Sequence, residues 1–138
     1  MKIFSDTSAF AKRYIAEAGS NQVLALSGQA GSLLVSVICL PELILSLSRL
    51  VREKKLSKRD YAALKQTAAD DLADADIVQL APEVLSGAIH LLESSLLRTM
   101  EALHVACALA SKAELFVSAD IRQLAAARKA GLRVADVS

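Results

Sequence analysis

Five short apolar runs interrupt a chain that is otherwise helical in pattern, and this alternation limits the fold more than any other feature. The runs are residues 2–5 (KIFS), 33–36 (LLVS), 76–79 (DIVQ), 115–118 (LFVS) and 133–135 (RVA). Strands this short, separated by helical stretches, predict βα units and a mostly parallel sheet. Between them Leu40, Leu43, Ile44, Leu47, Leu50 and Val51 recur at the i, i+3, i+4, i+7 spacing of one helix face. Pro41 fits the first turn of that helix, where a missing N–H costs nothing. Ser57 with Asp60 three residues on resembles a capping pair. Pro82 opens a helix to about residue 94, and a last helix runs from near Asp120 to Gly131. Residues 99–111 are apolar nearly all round, which predicts a buried helix.

The chain has 138 residues, about one domain's length, and no repeat or linker divides it. With 54% apolar residues it can offset the entropy of ordering, which excludes a disordered chain. Two isolated cysteines, Cys39 and Cys107, make neither a disulfide scaffold nor a zinc set and suit a reducing cytoplasm. Residues 18–41 carry no charge, but their glycines, serines, Asn21, glutamines and Pro41 make a poor membrane span. No apolar run of signal-peptide length precedes Asp6, so the reading is a soluble cytoplasmic protein with no membrane partner. The net charge of +1 hides an asymmetry. Residues 49–65 hold seven basic and two acidic side chains, and residues 66–101 hold seven acidic and one basic. Solvated helix faces explain both runs taken alone.

Four carboxylates sit in apolar surroundings. Asp6 ends the first run, Glu42 is the only charge between Ala18 and Ser48, Glu101 interrupts the all-apolar helix, and Asp120 follows LFVSA. Burying an ionised carboxylate without partners costs several kcal/mol or shifts its pKa. Each has a local explanation. Asp6 and Asp120 can cap the helices after their strands, Glu42 can suit a helix dipole, and Glu101 can pair with Arg98. Together they suggest more. Ligands of a doubly wound sheet bind at the carboxyl ends of the strands, where strand order reverses. Carboxylates gathered there repel unless a cation neutralises them, and oxygen-only ligands select Mg²⁺ or Mn²⁺.

These residues resemble the PIN-domain nucleases, specifically the VapC-type toxins of toxin–antitoxin pairs. The opening FSDTSAFAKRYIAEAGS is similar to the family's first acidic segment, with Asp6 as the acid, and VSVICLPELILSL to the second, with Glu42. LRTMEALHVACAL is similar to the third, usually D-A-L-H, with Glu101 at the acid position. LFVSADIRQLAAARKAGLRV is similar to the fourth, with Asp120. The resemblance spans nearly the whole chain. It implies a three-layer α/β/α fold with strand order 3-2-1-4-5, and Mg²⁺- or Mn²⁺-dependent hydrolysis of RNA. It also implies a homodimer silenced by a cognate VapB-type antitoxin. Asp6, Glu42, Glu101 and Asp120 would then be both catalytic and metal-binding, with Ser8 and Ser118 supporting the acids or metal waters. Lys12, Arg13 and the 49–59 run are candidate phosphate contacts. His104 matches the D-A-L-H histidine and reads as structural. Glu101 is one methylene longer than the usual Asp, so the expected effect is weaker activity, a preference for Mn²⁺, or a module that only binds antitoxin or RNA.

Other motifs carry less. Glu101-x-x-His104 matches half a di-iron site without its second copy. Asp70, Asp71, Asp74 and Asp76 lack the EF-hand spacing and glycine, and no phosphate-binding glycine loop is present. Aromatics at 4% are too few for a base-stacking platform. A receiver-like phosphorylation domain would share the sheet, but the paired early acids and late lysine are missing.

Overall fold

The computed structural model describes residues 1–138. Strand β1 (Lys2–Ser5) leads into a short helix, α1 (Thr7–Phe10), continued by a 3₁₀ turn at Ala11–Arg13. Then follow α2 (Ser20–Gln29), β2 (Ser32–Ser36), α3 (Cys39–Arg52), α4 (Lys58–Ala73) and β3 (Asp76–Val78). The second half is α5 (Pro82–Ser94), α6 (Thr99–Ala110), β4 (Leu115–Ser118), α7 (Ile121–Lys129) and β5 (Val134–Asp136). The five strands are all parallel, in the order β3-β2-β1-β4-β5. The chain therefore steps one way from β1 to β2 and the other way to β4, and a switch point opens between β1 and β4.

Alternation along the strands sorts the apolar residues into two layers. Phe4, Leu34 and Phe116 face α5, α6 and α7, with the Phe4 and Phe116 rings stacked at 5.8 Å. Val35 packs with Phe10, Leu43, Leu47 and Leu72 of α1, α3 and α4. Ile3, Leu115 and Val117 pack with Val23 of α2 and Val137. Helix α6 is buried from Ala102 to Ala108, as its apolar circumference predicts. Ser57 caps α4 by accepting from Asp60 N at 3.0 Å, and Pro82 is the first residue of α5. Gly131 closes α7 at a φ of +99°.

Helix α2 occupies the polar, glycine-broken stretch before β2. It buries Val23, and Gly19, at a φ of +88°, starts it. A Cβ at Gly19 would lie 1.9 Å from the Val137 carbonyl oxygen, so only glycine allows this approach to the C-terminal segment. No helix is long and apolar enough to cross a membrane.

Candidate active site: four carboxylates in one crevice

The sheet delivers the acids to its carboxyl edge. Asp6 follows β1 and Asp120 follows β4, the two strands flanking the switch point. Glu42 lies in the first turn of α3, and Glu101 in the first turn of α6. All four line one crevice of about 280 Å³, together with Thr7, Ser8, His104 and Gln123. Glu101 does not interrupt its helix as the sequence suggested. It stands at the helix mouth, ahead of the buried turns.

Asp6 is fully buried. Its Oδ1 accepts from Ala9 N at 2.9 Å, which makes Asp6 the N-cap of α1, and from Ser8 Oγ at 2.8 Å. Its Oδ2 accepts from Ser118 Oγ at 2.7 Å, Gln123 Nε2 at 2.9 Å and Ser8 Oγ at 2.9 Å. Ser8 and Ser118 thus both donate to the acid. No basic side chain pairs with it, and burial pushes its pKa up against the lowering effect of Ala9, Ser118, His104 and Ser8.

Burial also works to raise Glu42, but hydrogen bonds win. Glu42 Oε1 accepts from Thr7 Oγ1 at 2.6 Å and lies 2.5 Å from His104 Nε2, and together these hold its pKa below the ordinary value. His104 Nδ1 is buried with no partner, so the tautomer carrying its proton on Nε2 satisfies both residues. His104 is therefore a site residue as well as a core one, packed edge-on to Phe4 at 6.4 Å.

Asp120 caps α7, its Oδ1 accepting from Arg122 N at 2.9 Å and Gln123 N at 3.1 Å. Its pKa is lowered: partial burial opposes this, while the Gln123 amide, Glu101, the Arg122 amide and the Arg122 charge favour it. Glu101 Oε1 accepts from Arg98 N at 2.8 Å, and Oε2 pairs with Arg122 at 3.2 Å. The local roles expected for Asp6 and Asp120 thus coexist with convergence, while Glu101 pairs with Arg122 and takes only the backbone amide of Arg98.

Lys12 and Arg13 do not reach the crevice. Lys12 is buried, its ammonium held by the Ala18 carbonyl and Glu17. Arg13 pairs with Asp71 at 3.6 Å and lies over the Phe10 ring at 5.2 Å. Each satisfies a partner of its own there. The sequence reading missed Thr7 and Gln123. Thr7 directly follows Asp6, and Gln123 is three residues beyond Asp120, so both were recoverable once their neighbours were placed.

The donor set fits a hard divalent cation. Four carboxylates face one guanidinium and one imidazole, and Gln123 Oε1 is buried in the crevice wall with no hydrogen-bond partner. The side chains do not form a finished cage, since no three acidic or histidine groups surround one point. Each carboxylate is drawn toward its own local donors instead.

The PIN domain model matches residues 3–129. Ribonuclease VapC45 of Mycobacterium tuberculosis is 33% identical over 135 residues, covering 96% of this chain and 94% of the relative. VapC20 of Mycobacterium tuberculosis, described as a sarcin-ricin loop cleaving toxin, superposes with a TM-score of 0.70 at 17% identity, covering 94% of this chain and 95% of that one. VapBC2 from Rickettsia felis, solved with a DNA fragment from its promoter, gives a TM-score of 0.69 at 17% identity over 100% of both chains. With the family model over most of its length and four acids at the switch point of a parallel 3-2-1-4-5 sheet, the chain belongs to the PIN domain family.

Proposed function

We propose that this protein is an endoribonuclease that hydrolyses RNA phosphodiester bonds with Mg²⁺ or Mn²⁺, and that it is the toxin of a pair kept silent by a VapB-type antitoxin. The observation that carries this reading is the meeting of Asp6, Glu42, Glu101 and Asp120 in one crevice of a PIN-family chain. The likeness to a relative named Ribonuclease VapC45 supports the substrate, and the likeness to VapBC2 supports the antitoxin. On this reading residues 1–138 act as one domain, as a homodimer, in the cytoplasm, where the two buried free cysteines stay reduced.

Asp6 and Asp120 would hold the ion, Glu101 would share it or hold water, and Glu42 would complete the ring. The bound cation would supply positive charge to the phosphodiester and acidify water. The chain's own residues do the positioning. Ser8, Ser118, Gln123 and the Ala9 amide hold both oxygens of Asp6, and one of the side-chain donors would give way to the ion. Thr7 and His104 hold Glu42 in place, with its pKa below the ordinary value. No side chain has to act as the nucleophile.

RNA cleavage that EDTA stops, and that Asp6→Asn abolishes in a folded protein, is the expected result. Metal-independent cleavage, or full activity in that variant, would overturn the reading. One observation favours the alternative, a weakened or inactive module that binds antitoxin or RNA: Glu101 is engaged by Arg122 and the Arg98 amide. Calorimetric titration with Mn²⁺ separates the two, because the module binds no ion saturably.

A further inference from the structure

Gln123 touches both of the acids that the reading above gives to the ion. Its backbone N–H donates to Asp120 Oδ1 at 3.1 Å, and its side-chain Nε2 donates to Asp6 Oδ2 at 2.9 Å. The side chain is buried and lines the crevice, yet its Oε1 meets no donor. Turning the carboxamide end for end would not mend this, because an oxygen would then face the Asp6 carboxylate at the same distance. A buried acceptor without a partner is a standing cost to the fold. A hard cation, or a water held on one, is a partner that a neutral oxygen can take.

Asp6 is crowded as well. Its Oδ2 accepts from Ser118 Oγ, Gln123 Nε2 and Ser8 Oγ, whereas a carboxylate oxygen offers about two lone pairs. An ion that takes Oδ2 has to displace a donor. The serines are tied on their other side: Ser8 Oγ accepts from Ala119 N at 3.0 Å, and Ser118 Oγ accepts from Asp120 N at 2.9 Å. The Ala9 amide is fixed in the backbone of α1. The Gln123 carboxamide has only its bond to Asp6, at the end of a flexible side chain.

We infer that Gln123 is a further metal-facing residue of this site: its carboxamide holds Asp6 in the ion's absence, then gives way and offers its oxygen to the cation or to a cation-bound water. This rests on the nuclease reading above. A neutral oxygen adds a hard ligand without adding charge to a crevice that already gathers four carboxylates.

The test follows the ion and not the cleavage. Mg²⁺ is titrated into the isotope-labelled full-length protein, and the side-chain amide of Gln123 is followed by NMR. Its amide protons should shift as the bond to Asp6 is lost, and its carboxamide carbon should shift along the same saturation curve. By calorimetry, Gln123→Met should bind Mn²⁺ about tenfold more weakly than wild type. Gln123→Glu lacks the donor but keeps an oxygen, and should bind Mn²⁺ at least as tightly as wild type. Loss of the Asp6 donor alone would move both variants together, so equal weakening would make Gln123 a mere prop for Asp6 and overturn this inference. Saturable Mg²⁺ binding that leaves the Gln123 signals in place, or Gln123→Met that binds Mn²⁺ as tightly as wild type, would overturn it too. These results would leave the nuclease reading standing. Wild type that binds neither ion saturably would overturn both.

Discussion

Gln123 donates its side-chain amide to Asp6 Oδ2 at 2.9 Å, joining residues 117 apart in sequence, and leaves its own Oε1 buried without a partner. The pair ties the end of β1 to the first turn of α7 across the switch point. Gln123→Glu keeps the shape but replaces a donor with a second carboxylate. Two such groups at hydrogen-bond distance cannot both ionise cheaply. The variant should lose about 1–3 kcal/mol of stability at pH 8 and less at pH 5, where one proton can be shared. Urea unfolding at the two pH values checks this; an equal loss at both would show that the amide does not face an ionised Asp6.

Asp6 should make the fold less stable at neutral pH, against the usual trend for carboxylates. Its folded pKa is raised by burial, so the native state holds the proton more tightly than the unfolded chain. Its stabilising contribution is full below the ordinary value of 3.8 and is lost as pH rises through the folded pKa. Each tenfold weakening of the acid corresponds to about 1.4 kcal/mol. Glu42 and Asp120 act in the opposite sense. Their lowered pKa values give stability that is present above their ordinary values, 4.5 and 3.8, and lost as pH falls through the folded ones. Asp6→Asn should therefore be more stable than wild type at pH 7, with Gln123 turning its free oxygen toward the new amide, and still be inactive. A melting temperature at or below that of wild type would contradict this.

What the sequence revealed of this site was its charges, and what it concealed was their partners. Asp6 and Asp120 were legible because each ends an apolar run, and parallel strands must end on a common edge. Glu42 was legible because no other charge lies within a long uncharged stretch. The partners were not legible, because Thr7, Gln123 and His104 are ordinary residues until tertiary structure turns them toward an acid. The surroundings of Lys12 and Arg13 were hidden for the same reason: their neighbours in the chain suggest a basic patch, and in space Glu17, Asp71 and the Phe10 ring lie against them. Helix α2 is hard to read because its pattern is weak: Val23 is its only fully buried residue, with Leu26 packed beside it.

Divalent cations should stabilise the fold through these acids. A ligand that binds only the native state adds about 2.7 kcal/mol at a hundred times its Kd. Thermal melts in Mn²⁺ should rise for wild type and stay flat for Asp6→Asn and Asp120→Asn. An equal rise in all three would place the ion elsewhere.

On the proposed reading, Arg122 would compete with the cation for Glu101. The pair is 3.2 Å apart, and Arg122 is 43% exposed in its side chain, so solvent screens it and its loss should cost under about 1 kcal/mol of stability. Its effect on ion binding should be larger in proportion, because a guanidinium at the mouth of the crevice repels a divalent ion and occupies one of its carboxylates. Removing a single charge through largely aqueous surroundings is worth about 1 kcal/mol, roughly fivefold in affinity. Arg122→Ala should therefore bind Mn²⁺ about fivefold more tightly by calorimetry. Glu101→Asp, whose shorter arm cannot hold both the Arg98 amide and Arg122, should shift preference from Mn²⁺ toward Mg²⁺. If Arg122→Ala binds Mn²⁺ no better than wild type, Glu101 is not among the groups that hold the ion.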